Sequence, residues 1–195
     1  MTYVSLGSTC CITQQLKNHN LRNEAYPFDW LRICNLNNVV RLLDNKFIDF
    51  LELEDIKFTE FSDKFSIDGK CGSYIYKNKY CGFYHDFSEI INETNYNLFR
   101  DKYNRRINRL FQLLNSNNEV IFVREELREL KISKFYKLID TIKKINPKLN
   151  FKIIVITNDK KCENLDLSHV SFFYINENIT HWSRPEINWD KLFKS

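Results

Sequence analysis

Two thiols stand side by side at Cys10 and Cys11, directly after the small-residue stretch Gly7-Ser8-Thr9. A thiol in the first turn of a helix faces unpaired backbone N–H groups and the positive end of the helix dipole. That setting favours the thiolate and predicts a Cys10 pKa below the ordinary value of about 8.5. A thiol nucleophile also needs a base, and histidine is the usual one. His19 lies in a polar Asn-His-Asn turn and His169 precedes an apolar run, so these read as solvated and structural. The candidates are therefore His85, in Tyr-His-Asp-Phe, and His181, in Thr-His-Trp-Ser. Asp86 adjoins His85, but neighbouring strand residues point to opposite faces, which makes Asp29 of Pro-Phe-Asp-Trp the better orienting acid. The plainer reading makes Cys10 a small apolar residue in a turn, with Cys11 directed into the core.

Two other chemistries fit the same stretch. Ser8 just after a first strand, with His181 near the C-terminal end, follows the chain order of an SGNH-type esterase, although Gly-Ser stands where that pattern has Gly-Asp-Ser. Gly7, Ser8 and Thr9 could instead cradle an anion on their backbone N–H groups. Arg124, at the end of an apolar strand, calls for an acid or an anionic ligand. Together these would make a catalytically silent anion- or glycan-binding protein. Neither Gly-x-Gly-x-x-Gly nor a phosphate-loop motif occurs, so no nucleotide cofactor is expected. The six cysteines, at positions 10, 11, 34, 71, 81 and 162, form no Cys-x-x-Cys pair and no zinc-site spacing. They are expected to be free thiols in a reducing cytoplasm, which is the host's if the protein is viral, with a Cys71–Cys81 disulfide across a hairpin as the alternative.

The elements that must position these residues follow from periodicity. With 195 residues, 43% of them hydrophobic and 15% aromatic, the chain can build one packed domain spanning 1–195 without staples. The net charge of +4 is too slight to predict a nucleic-acid partner. The basic run from Arg100 to Arg109 reads as a solvated helix face. The first residues lack the pattern of a signal peptide, and no apolar run is long enough to span a bilayer, so no membrane partner is expected. Thr2–Ser8 predicts a strand ending in a turn, followed by a helix from Cys10 capped by Ser8 or Thr9. Asn35–Glu52 predicts an amphipathic helix. Residues 57–87 alternate aromatic with polar and predict short antiparallel strands or irregular loops. Glu93–Ser116 predicts a long helix with Leu98, Tyr103, Ile107, Leu110, Phe111 and Leu114 on one face. The last third alternates apolar strands (Glu119–Glu125, Phe151–Asp159, His169–Asn176) with a helix ended by Pro147, the mark of a parallel sheet covered on both faces. The fold expected is therefore a three-layer α/β domain, with a mixed, mostly parallel sheet and an antiparallel insertion near 57–87. Ligands of such sheets sit at the carboxyl ends of the strands, which gathers Gly7–Cys10, Arg124-Glu125, Asn158-Asp159 and the segment beyond Asn176.

Ser-Leu-Gly-Ser-Thr-Cys, Asn-Glu-Ala-Tyr-Pro-Phe-Asp-Trp-Leu, Tyr-His-Asp-Phe, Phe-Val-Arg-Glu and the terminal Trp-x-x-Leu-Phe occur here in one order. In this the chain resembles a domain family of bacteria and large DNA viruses described as putative papain-like cysteine peptidases, whose biochemical function is essentially unknown. The resemblance implies a cysteine-dependent hydrolase or acyl transferase, with Cys10 as nucleophile, His85 as general base and Asp29 or Asp86 as orienting acid. It implies a peptide, small-molecule or glycan substrate, glycans entering because some bacterial relatives resemble domains that accompany glycosyltransferases. Papain-like cores carry an antiparallel sheet, whereas the periodicity here predicts a parallel one.

Overall fold

The structure is a computed structural model describing residues 1–67, 70–175 and 181–193, except the side chains of 66, 70 and 71. Four strands, β1 (Thr2–Ser5), β6 (Val120–Glu126), β7 (Phe151–Thr157) and β8 (Val170–Tyr174), form one parallel sheet in the order β1-β6-β7-β8. Their neighbours are set by Ser5 opposite Val123, Glu126 opposite Thr157 and Thr157 opposite Tyr174. Successive side chains on a strand alternate between faces, and β6 shows this directly. Val120 and Phe122 pack with one apolar cluster, whereas Ile121 and Val123 pack with the other.

The first cluster takes in helices α2 (Leu36–Asp44), α3 (Glu93–Leu114) and α4 (Ile132–Ile145), and the second takes in α1 (Cys10–Asn18) and α5 (Trp189–Phe193). The expected arrangement of helices on both faces of a parallel sheet is thus present. The residues between the first and third expected helices build a separate four-stranded antiparallel sheet. Its strands are β2 (Leu31–Arg32), β3 (Lys57–Ile67), β4 (Lys70–Lys77) and β5 (Gly82–Phe83), in the order β2-β5-β4-β3. The two-residue strand Leu31–Arg32 carries too little periodicity to be read from sequence, yet it ties the segment after Pro-Phe-Asp-Trp to the strand before His85.

Two helix expectations are corrected. The helix predicted over Asn35–Glu52 ends at Asp44, because Lys46 and Phe47 both adopt positive φ (54° and 61°), which an α-helix cannot accommodate. On α3, Leu98 is exposed and Phe99 takes its place in the core, against Phe83, Phe87 and Tyr103. None of the described helices is long and apolar enough to cross a membrane.

Candidate active site

Gly7, just beyond the end of β1, lies at φ +73°, and a Cβ there would stand 3.3 Å from the Ile33 side chain, so only glycine suits this turn. Ser8 follows at φ +82°, an uncommon conformation for a residue with a side chain. The chain then returns to extended geometry at Thr9, whose side chain accepts from the Cys11 N–H at 3.3 Å and caps α1. Cys10 is therefore the first residue of the helix, as expected. Cys11 points into the sheet and is fully buried.

The Cys10 Sγ lies 3.3 Å from Nε2 of His85. His85 sits just beyond β5, its ring edge-on to Trp30 and to Phe65, with centroids 5.5 Å away in each case. Trp30 has a role that its local sequence does not reveal. Reading Pro-Phe-Asp-Trp alone assigns both aromatics to the core. Phe28 is fully buried, but Trp30 is only half-buried and holds φ at +65°. Its N–H donates to Oγ1 of Thr13 at 3.3 Å, and its carbonyl accepts from the Cys10 thiol at 3.7 Å. Residues 10 and 13 lie on one face of α1, so a single helix face grips both polar groups of this one peptide residue. Backbone strain of this kind costs about 1–3 kcal/mol and persists where surrounding structure enforces it, often at functional sites.

The other expected site residues are distributed as follows. Asp29 is buried, and its carboxylate accepts from Arg22 Nε at 2.9 Å and from the Tyr26 N–H at 3.1 Å, so it locks the turn containing Pro27. Asp86 accepts from the Lys102 ammonium at 2.6 Å and from the Tyr103 hydroxyl at 3.2 Å. Arg124 meets an acid rather than an exposed anion site. Fully buried, it donates to Glu126 through Nε at 3.1 Å and to the carbonyls of Leu6 and Ile33 at 3.1 Å each. Of the Gly7–Thr9 cradle, the Gly7 N–H already donates to the Ser5 hydroxyl at 3.2 Å. His181 bonds to the Ser183 hydroxyl through Nδ1 at 2.7 Å, in an exposed stretch. Asp159 caps a short 3-10 turn and accepts from the Leu130 N–H, as a structural group. Cys81 is a free, buried thiol; Cys71's side chain and residues 176–180 fall outside the described set.

A second network supports the start of the Cys10 helix from behind. Alternation on β6 sends Glu125 to the opposite face from Arg124 and Glu126. There its carboxylate accepts from the Thr9 hydroxyl at 2.6 Å and from the buried Arg184 guanidinium. Gln15 on α1 donates to the Ser183 carbonyl, and Trp189 donates to the Arg184 carbonyl at 2.9 Å. The capping residue of the Cys10 helix is thus tied to the central strand and to the C-terminal segment together. The pair of adjacent acids in Val-Arg-Glu-Glu is the sequence signal for this, but the partner of Glu125 at Arg184 is 59 residues away.

Among the described residues no group of His, Cys, Asp and Glu is placed to hold a metal ion. Comparison with known proteins agrees with the pattern of motifs. Residues 1–161 match the model of a family described as "Putative papain-like cysteine peptidase (DUF1796)". The chain belongs to this family. It is also similar to "Uncharacterized protein R408" of Acanthamoeba polyphaga mimivirus, with 28% identity over 97% of this chain and 96% of the viral protein. No solved structure matches. The matched segment contains Cys10, Asp29, His85 and Glu125, while Arg184 and the C-terminal helix lie outside it.

The electrostatics correct one expectation. Burial pushes the Cys10 thiol up to about 11, against the lowering that its helix position predicts. Arg32 and the residue's own N–H oppose the shift, Asp86 adds to it, and desolvation of the thiolate outweighs the favourable groups. At neutral pH the resting thiol is therefore protonated. Its single S–H can then turn from the Trp30 carbonyl and donate instead to Nε2 of His85, in the tautomer that carries the imidazole proton on Nδ1. The sign of the pH dependence follows. Alkylation of Cys10 by iodoacetamide, followed by peptide mass spectrometry, should accelerate by about tenfold per pH unit above neutrality and level off only near the thiol's own pKa. A plateau already reached at neutral pH would identify a preformed thiolate–imidazolium pair instead.

Proposed function

We propose that this protein is a cysteine-dependent hydrolase or acyl transferase in which Cys10 is the nucleophile and His85 the general base. The observation that carries this is the 3.3 Å approach of Cys10 Sγ to His85 Nε2 at a helix start. In the reaction the thiol proton passes to Nε2 as sulfur attacks the substrate carbonyl carbon. The carbonyl π-bond becomes an oxyanion, toward which the Cys10 N–H can be directed. The imidazolium then returns its proton to the leaving amine or alcohol, the C–N or C–O bond breaks and a thioester remains. Water, or an acceptor amine or hydroxyl deprotonated by His85, releases the acyl group and restores the thiol. A buried, protonated thiol makes the base essential at the moment of attack, as it is for a serine nucleophile. The substrate class we favour is a peptide or an acylated small molecule or glycan, and the free thiols suit action in a reducing cytoplasm.

p-Nitrophenyl acetate tests this chemistry without knowledge of the natural substrate. Attack by Cys10 should release p-nitrophenolate and leave an acetyl thioester on the Cys10 peptide, labile to hydroxylamine. Cys10→Ala should abolish that adduct. Acetyl groups found only on the exposed Cys34 or on lysines would overturn the assignment.

A further inference from the structure

Beside Cys10 and His85 stands a cation that no acid among the described residues neutralises. Arg32 is exposed on β2, two residues beyond Trp30, whose carbonyl faces Cys10. Its partners among the described residues are both on Tyr84. Nη1 donates to the Tyr84 hydroxyl at 3.4 Å, and the guanidinium carbon lies 5.4 Å from the centre of the Tyr84 ring. Tyr84 adjoins His85 in the chain and packs edge-on against Phe65, which in turn flanks His85. The ring has its position because residue 82 is glycine. A Cβ there would stand 2.6 Å from Tyr84 Cε2, too close to coexist. Gly82 pairs with Arg32 across β5 and β2, so one register position sets both the arginine and the room for the ring beneath it.

The carboxylate nearest in sequence to the pair does not cancel this charge, since Asp86 is engaged by Lys102 at 2.6 Å and by Tyr103. The field of Arg32 reaches the nucleophile, where it favours the negatively charged form of the sulfur. A guanidinium held on an aromatic ring keeps its outer N–H donors available to an anion, and its planar fork matches a carboxylate in particular. We propose that Arg32, seated on Tyr84 with Gly82 making room, is an anion subsite, and that the acyl substrate carries a carboxylate within reach of the carbonyl that Cys10 attacks. This rests on the thiol–imidazole reading above and narrows its substrate class.

Two alkylating reagents of nearly equal size, anionic iodoacetate and neutral iodoacetamide, separate the two ideas. Each forms an S–CH2 bond at Cys10 with loss of iodide, so the ratio of their rates cancels the thiol's ionisation and reads out the charge of the reagent alone. The ratio at the exposed Cys34 in the same sample serves as the reference. In the wild type, the iodoacetate-to-iodoacetamide ratio at Cys10 should exceed that at Cys34 by roughly five- to tenfold. Arg32→Gln and Tyr84→Leu should erase the excess, whereas Arg32→Lys should retain part of it, and added salt should diminish it. Equal ratios at the two cysteines, or an excess that survives Arg32→Gln, overturn the subsite. In that case, iodoacetamide labelling of Cys10 that still depends on His85 leaves the proposed chemistry intact. Failure of both reagents to label Cys10 in the folded protein overturns both.

Discussion

Replacing His85 with alanine should reduce the rate of Cys10 acylation by p-nitrophenyl acetate by roughly a hundred- to ten-thousand-fold, the range found for a positioned acid–base group. The size of the effect follows from the state of the thiol. A thiolate present before the reaction would still attack without a base, and loss of the histidine would then matter mainly through ionisation. Here burial pushes the thiol up to about 11, so under the proposed chemistry the proton leaves during attack, toward Nε2 of His85 at 3.3 Å. The residual rate of the variant should climb with hydroxide concentration, because hydroxide is then left to take the thiol proton. The ring packs edge-on against Trp30 and Phe65 and contributes to local order, so unfolding midpoints must accompany the kinetics. A midpoint near that of the wild type, together with a rate within twofold of it, would remove His85 from the mechanism.

The second large effect is on stability. Arg124→Met should lower the free energy of unfolding by about 3–5 kcal/mol, the cost of leaving one member of a buried ion pair alone. For a chain of this length that corresponds to a fall in Tm on the order of 10 °C. Arg124 is completely inaccessible and has three partners, so its loss strands the Glu126 carboxylate and also two carbonyls, of Leu6 and Ile33. Converting Glu126 to methionine in the same chain should restore only part of the loss. The carboxylate problem disappears, but each carbonyl still lacks its donor, at about 1–3 kcal/mol apiece. Urea denaturation of the two single variants and the double variant measures these shares. Full restoration by the double variant would mean that the two carbonyls find other partners. The Leu6 carbonyl lies immediately before Gly7, so Arg124→Met should also loosen the turn that launches the Cys10 helix and slow Cys10 acylation in the still-folded fraction.

The parts legible in the amino-acid order are those governed by short-range physics. Apolar strands alternating with an amphipathic helix determine the parallel sheet in the last third of the chain, because such strands are buried on both faces and need helical crossovers. Gly7 followed by Thr9 and Cys10 determines a tight turn and a capped helix start, since only a few residue types satisfy those backbone demands. Period-two alternation between residues 57 and 87 marks antiparallel strands, although not their assembly into a sheet of their own, because Leu31–Arg32 is too short to show a period.

Everything that turns these elements into a site depends on residues distant in the chain. The sequence separation of 75 between Cys10 and His85 is closed only when β5 pairs with β2 and brings the strand before His85 beside the segment after Trp30. The partners of Arg124, Glu125 and Asp29 are likewise settled by which strand face meets which loop: Arg124 and Glu125 are adjacent in sequence, yet one stabilises the turn before the helix and the other its cap. Ionisation lies furthest from the sequence. A helix start by itself predicts an acidic thiol, but the fold closes around Cys10, and in that low-dielectric setting the cost of desolvating a thiolate exceeds what a helix dipole and one arginine return.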